Sequence, residues 1–170
     1  MTKCECGGKY KESVVKDFDF TPFAGLPVIL QEGPGLRCSK CGDETLDGKV
    51  IDGLLDALAS EVIKQPHLLN GQQARFLRKR LGLTQGELAE RMGLSRRETV
   101  ADWERGNISP QNDYILRALT FDRLSFQQSS FSQLRGAIER VQTSHFKGTP
   151  PPFVIKNALE RLRDNGHRRK

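Results

Sequence analysis

The chain has 170 residues, 36% of them hydrophobic and 28% charged, with a formal net charge of +6. That length suits one medium domain or two small ones with modest cores. No apolar run approaches the roughly 20 residues of a membrane span, and Met1 to Tyr10 lacks the apolar stretch of a secretory signal, so a cytoplasmic protein is expected.

Charge is unevenly placed: residues 1–70 carry a net of −3, residues 71–120 a net of +3 and residues 121–170 a net of +6. An acidic front and a basic back suggest modules with different partners. Basic surfaces favour polyanions such as nucleic acid, because binding releases condensed counterions.

Four cysteines occur, as Cys4-Glu-Cys6 and Cys38-Ser-Lys-Cys41. In a reducing cytosol, close pairs are more often metal ligands than disulfides. Two pairs 31 residues apart make four thiolates, the number a closed tetrahedral zinc site takes. Gly7-Gly8 and Gly42 follow the pairs and let the backbone turn tightly. No histidine stands near either pair, so Cys4, Cys6, Cys38 and Cys41 are expected to hold one structural zinc ion with no open position. A redox pair at Cys38 and Cys41 is the rival, but no thioredoxin-like βαβ pattern surrounds it. Cysteines without metal are the remaining alternative. The C-x-C pair is tighter than the C-x-x-C of most zinc knuckles.

Residues 1–45 hold too few large apolar side chains to fold without a staple. Strands are expected near 9–20, 27–32 and 35–38, with Pro22, Gly25, Pro27, Gly33, Pro34 and Gly35 as breaks. From Leu46 the period becomes helical. Leu46, Val50, Ile51, Leu54, Leu55, Leu58, Ala59, Val62 and Ile63 form one apolar stripe, which predicts a helix over 46–64 ending before Gln65-Pro66. Packing inside the chain is favoured for that stripe over a partner surface. Residues 65–71 read as a hinge, so 46–70 is a connecting helix and hinge.

Residues 71–120 read as four short helices. The first runs from Gly71 to Leu81. Thr84 stands three residues before Glu87, a capping box for the second. Gly93 ends that helix, Ser95 is placed to cap the third, and Ser109-Pro110 starts the fourth. Two short helices joined through Gly93-Leu94 make a helix-turn-helix. The string Leu81-Gly-Leu-Thr-Gln-x-Glu-Leu-Ala, then Gly93-Leu-Ser95 and Trp103-Glu-Arg-Gly-Asn107, closely resembles the Cro/repressor-like, or XRE-type, DNA-binding domain. That resemblance implies that Gln85 grips phosphate at the second helix, and that Asn107 makes another backbone contact. It also implies that Arg96, Arg97, Glu98 and Thr99 open a recognition helix facing base edges in the major groove. Trp103 is expected in the core. Two departures stand out: the interval from Ser95 to Trp103 is one residue longer than usual, and Asp102 stands where the family often places Gln, Arg or Asn.

Both halves together resemble the MqsA-type antitoxin family, through both cysteine pairs, the Gly35–Cys38 segment, Thr84-Gln85 and the Gly106–Pro110 stretch. The resemblance implies a zinc module that neutralises a ribonuclease toxin and a helix-turn-helix module that represses as a homodimer. The chain departs by its C-x-C pair and by about 50 residues after 120. Leu124, Phe131, Leu134, Ile138 and Val141 give a heptad-like seam over 123–143, suited to dimerisation or to closing the core. Lys147 to Pro152 is a stiff linker, Phe153, Ile155, Leu159 and Leu162 suit a last helix, and Asn165 to Lys170 form a basic tail. His67, His145 and His167 are incidental.

The expected fold class is a small zinc-stapled β module plus an all-α helix-turn-helix domain with extra C-terminal helices. The expected function is a zinc-containing regulator that binds a double-stranded DNA operator as a homodimer and represses. The alternatives are an antitoxin acting through its zinc module and, third, a thiol oxidoreductase. No nucleophile–base constellation points to an enzyme, and no membrane partner is expected.

Overall fold

The computed structural model describes residues 3–125 and the backbone of 153–155. The seam from Phe131 to Val141, the linker at Lys147–Pro152, His145, His167, Leu159, Leu162 and the basic tail lie outside the described residues. The elements run β1 (Tyr10–Asp19), α1 (Thr21–Ala24), β2 (Val28–Cys38), β3 (Glu44–Thr45), α2 (Gly48–Ile63), α3 (Gly71–Arg80), α4 (Gln85–Arg91), α5 (Arg97–Arg105), α6 (Pro110–Ser125) and β4 (Phe153–Ile155). They form two compact units: one takes the chain up to Ala57 together with β4, and the other begins at Leu58.

In the sheet unit, β2 is central. It pairs antiparallel with β1 from Tyr10↔Cys38 to Asp19↔Ile29. Its other edge takes β3 at Leu36 and Arg37, and β4, in parallel, at Val28 to Leu30. Two expectations need correction. Phe153 and Ile155 belong to a strand, not a last helix; β-branched Val154 and Ile155 suit an edge that β2 leaves open there. Gly33-Pro34-Gly35 does not break the strand either. Pro34 lies between the stretches paired with β4 and β3, where no ladder bond is asked of its missing N–H.

Side chains in this hairpin do not keep one alternation. Val15 and Gly35 are buried at one end, Phe20, Val28 and Leu30 at the other, so the buried face changes phase between them. Asp17 sits at the change with φ 49°, a left-handed conformation that Asp tolerates better than most residues. Opposite it, Gln31 and Glu32 are both exposed. Phe23 stacks on Phe18 and Phe20, with ring centroids 6.3 and 5.3 Å away.

In the helical unit the ends of the helices are chemically closed. The Thr84–Glu87 capping box is present, and Gly93 takes the left-handed position after α4 at φ 68°. Asn70 and Gln73 make a second capping box at α3 that the sequence reading missed. Ser95 does not cap α5. The extra residue before Trp103 moves the start, so Arg96 takes the cap position without a side-chain bond. Ser109 Oγ accepts from the Asn112 amide at 3.4 Å, and α6 then runs on past 120 to Ser125. Leu77, Leu88, Val100, Trp103, Ile108 and Leu116 make the core, and the stripe residues Leu58, Ala59, Val62 and Ile63 are buried.

Gly71 opens α3 against the end of α5. A Cβ there would lie 2.5 Å from the Glu104 carbonyl oxygen, so the two backbones touch. Asn70 and Asn107 bridge the same junction. Of residues 65–71, read as a hinge, Gly71 opens α3 and the stretch before it is held by α6. The Arg117 guanidinium donates to the carbonyls of Ile63 (2.8 Å), Gln65 (3.0 Å) and His67 (2.6 Å). Asp113 accepts from Arg117 Nε and from the Leu69 amide, both at 2.8 Å. Both side chains are buried, and the arginine closes carbonyls that the end of α2 leaves open.

Candidate metal centre and nucleic-acid interface

The pairing of Tyr10 with Cys38 sets the start of β1 beside the end of β2. The loop before β1 carries Cys4 and Cys6, and the turn after β2 carries Cys41, so the hairpin register itself gathers the four thiols. Their sulfurs all lie within 4.8 Å of one another. Cys4 Sγ is 3.5 Å from Cys41 Sγ, and Cys6 Sγ is 3.5 Å from Cys38 Sγ. The closest contacts therefore cross between the two pairs. A tetrahedron with metal–sulfur bonds of about 2.3 Å has edges of roughly 3.8 Å, so this set fits a metal ion without a change of fold. The tight C-x-C pair does not prevent it.

The surroundings fit the same purpose. The Lys40 amide points at Cys38 Sγ at 3.4 Å, and Lys40 Nζ donates to the Cys6 carbonyl at 3.1 Å. A Cβ on Gly8 would lie 2.5 Å from Cys38 Sγ, so only glycine lets the loop close over the sulfurs. Tyr10 Oη donates to Asp43 Oδ2 at 2.6 Å, and that contact raises the phenol above its ordinary range. The Cys41 and Lys40 amides bring the Cys38 thiol down to about 6. At Cys6 the Gly8 amide favours the thiolate, but the sulfurs of Cys41 and Cys38 and desolvation outweigh it and push the thiol up to about 12. A central cation reverses that crowding by favouring every thiolate.

The second constellation lies on α3 to α5, where α5 packs on both α3 and α4. Arg78 of α3 pairs with Glu104 of α5, and its Nη1 donates to the Leu83 carbonyl at 2.7 Å. Gln85 Nε2 donates to Glu104 Oε2 at 2.9 Å. Burial works against the Glu104 charge, but Arg78 and Gln85 outweigh it and hold the carboxyl below the ordinary glutamate range. This network locks the start of α4 to the end of α5. Glu104 stands in the Trp103–Asn107 block, but its pairing with Arg78 was not readable, because an Arg in one helix and a Glu in another carry no spacing signal.

The residues expected at the DNA fall as follows. Gln85 is half-buried at the first turn of α4, held by Glu104. Arg96, Arg97 and Glu98 are exposed around the start of α5, and Arg97 Nε donates to Glu98 Oε1 at 3.2 Å. Thr99 is half-buried on the flank, and Asn107 is exposed just after α5. Asp102 accepts from Arg105 Nη2 at 2.6 Å. The exposed ridge of α5 is thus Arg97, Glu98, Asp102 and Arg105, and it runs further along the helix than the residues named from sequence. Trp103 is buried, as expected.

No described helix is long and apolar enough to cross a membrane. No curated protein and no solved structure matches the chain. Residues 75–127 match the helix-turn-helix family model, which covers the Arg78–Glu104 network and the whole of α4 and α5. Residues 75–127 therefore carry an XRE-type helix-turn-helix, a DNA-binding fold, and the other unit gathers four cysteines that can hold a metal ion.

Proposed function

We propose that this protein is a zinc-containing, sequence-specific transcriptional regulator, acting in the cytoplasm as a homodimer that represses by occupying its operator. The observation that carries the reading is the helix-turn-helix match over residues 75–127 with exposed Arg96 and Arg97 at the start of α5. Arg97, Arg96, Glu98 and Thr99 read the major groove, while Gln85 and Asn107 hold the backbone. Arginine bidentate to guanine contributes ~1–3 kcal/mol of discrimination. Cys4, Cys6, Cys38 and Cys41 hold one structural zinc ion in a module of residues 1–45. That ion shapes the sheet unit and leaves no position open for chemistry. Residues 46–70 connect it to the DNA-binding domain at 71–120, and 121–170 extend that domain. Two half-sites ~10 base pairs apart, or a multiple, follow from a dimer of this class.

The test is binding of the purified protein to its own upstream promoter DNA, against random DNA, across a salt series. Selective binding with a steep salt slope supports autoregulation. Equal, weak binding to both DNAs rejects the promoter as operator. Arg97→Ala relaxes preference at one base position, whereas Gln85→Ala weakens all sequences alike.

A second reading makes the chain an MqsA-type antitoxin whose sheet unit neutralises a ribonuclease toxin. It draws on Val14 and Phe23, large apolar side chains exposed on that unit. Its test is whether a small ribonuclease-like reading frame neighbours this one and, where it does, whether this protein inhibits the product; no such neighbour, or full ribonuclease activity at stoichiometric excess, rejects it.

A further inference from the structure

β1 lies at the open side of its sheet. One edge pairs with β2, and the other takes no strand among the described residues. An open edge of this length is a template for another strand, and proteins commonly blunt such edges with charge. β1 carries the charge, but in a self-complementary order. Lys11 and Glu12 precede Val14, and Lys16 and Asp17 follow it. Counted outward from Val14, Glu12 matches Lys16 and Lys11 matches Asp17, opposite in sign each time. All four are exposed, and none joins an ion pair among the described residues. Lys11 stands across the ladder from Arg37, whose carboxylate neighbour is Glu44, so its own sheet offers it a cation rather than an anion. Half-buried Tyr10 and Phe18 match about the same centre, and Val14 itself is 49% exposed. Opposed residues of an antiparallel pair turn their amides the same way, so two copies of one strand can pair only on an axis that passes through a residue. An axis through Ser13 forms no ion pair within β1, and one through Val15 sets only Lys11 against Asp19. Axes through Glu12 or Lys16 set like charges face to face. Val14 is the centre that the charges select.

Resting on the homodimer of the reading above, we propose that the outer edge of β1 pairs antiparallel with β1 of a second copy, on a two-fold axis through Val14. The contact is isologous, so the Glu12–Lys16 and Lys11–Asp17 pairs each occur twice. Asp17, with φ 49°, ends the regular backbone, so its pair with Lys11 closes the rim and the ladder runs over residues 12–16. The pairing also stops at two copies. It consumes the long open edge and leaves the short strands β3 and β4 on the outside.

The experiment is sedimentation of the full-length protein, with zinc supplied and without DNA, over a wide concentration range. Glu12→Lys and Lys16→Glu each set like charges opposite one another at both symmetry-related contacts, and each weakens self-association roughly tenfold. Mixed one to one, the two variants form a heterodimer of wild-type strength, because every lysine of one copy then faces a glutamate of the other. A purely structural effect of either change gives no such recovery. Val14→Lys sets two ammonium groups on the axis and abolishes association, whereas Val14→Thr keeps it. Circular dichroism confirms that these surface variants remain folded. Single variants that dimerise like the wild type, or that do not recover on mixing, overturn the proposal and leave the homodimer reading standing. A wild-type chain that stays monomeric throughout overturns the proposal and leaves the open edge to a different protein. The homodimer reading is then decided separately, by the number of chains bound per operator.

Discussion

The sheet unit buries Val15, Phe20, Leu26, Val28 and Leu30, while the helical unit buries Leu77, Leu88, Val100, Trp103, Ile108 and Leu116. The larger difference is polar. The helical unit also buries Asp113, Arg117 and most of the Arg78–Glu104 pair, with hydrogen bonds on each. The sheet unit has its four sulfurs instead. A small β module with few large side chains relies on a ligand to hold its loops, whereas a helical unit can close itself with charged groups that meet the open ends of its own helices.

With the proposed zinc in place, this contrast breaks most visibly when the metal is taken away. Chelation, or Cys38→Ser, should abolish amide-exchange protection across β1 and β2 and leave α3 to α6 protected. Structural zinc is worth ~10–16 kcal/mol in small modules, more than such a sheet has in reserve. Loss of protection in both units together would contradict the division. A smaller effect is expected at Arg117→Ala, which leaves Asp113 buried and uncompensated. It should cost the helical unit about 3–5 kcal/mol in urea unfolding. The single tryptophan, Trp103, reports that unit alone by fluorescence.

Acid provides a finer probe. Glu104 is held below its ordinary value of 4.5, so its contribution is complete above that value and is lost as pH falls through the lower, folded one. The Trp103 transition should therefore weaken below about pH 4.5, and Glu104→Gln should flatten that part of the profile while lowering stability at neutral pH. The smallest effect belongs to Thr84→Ala, which removes one capping bond and should cost about 1 kcal/mol at the thermal midpoint.

Much of both units was readable from residues. Paired cysteines, the Thr84–Glu87 box, Gly93 and the Trp103 block each have a local spacing with a physical cause. Asn70 and Gln73 carried the same capping signal, which was passed over because Asn70 fell in the expected hinge. Asp113 and Arg117 were not readable. An Asp and an Arg four residues apart on a helix look like an ordinary surface pair, and only the chain folding back over α6 shows that they are buried. Phe153 to Ile155 form too short a run for alternation to declare a strand. The shift of the α5 start to Arg97 was announced by the longer interval before Trp103, though not which residue would yield the cap. On the ridge of α5, charge alone could not show which carboxylate each arginine holds.

Gly71 carries a consequence for how freely sequences of this kind can drift. Its backbone rests on the carbonyl of Glu104, so any side chain there must push α3 off the end of α5. By the usual rules, position 71 is an unremarkable helix start where serine, alanine or proline would serve. In a saturation library scored for folded protein it should nonetheless be the least permissive glycine of the helical unit, while Gly86, where a Cβ would meet Thr84 Oγ1 at an ordinary 4.0 Å, accepts alanine at a gain. A methyl group at one of these two glycines would be a stabiliser, and at the other a wedge.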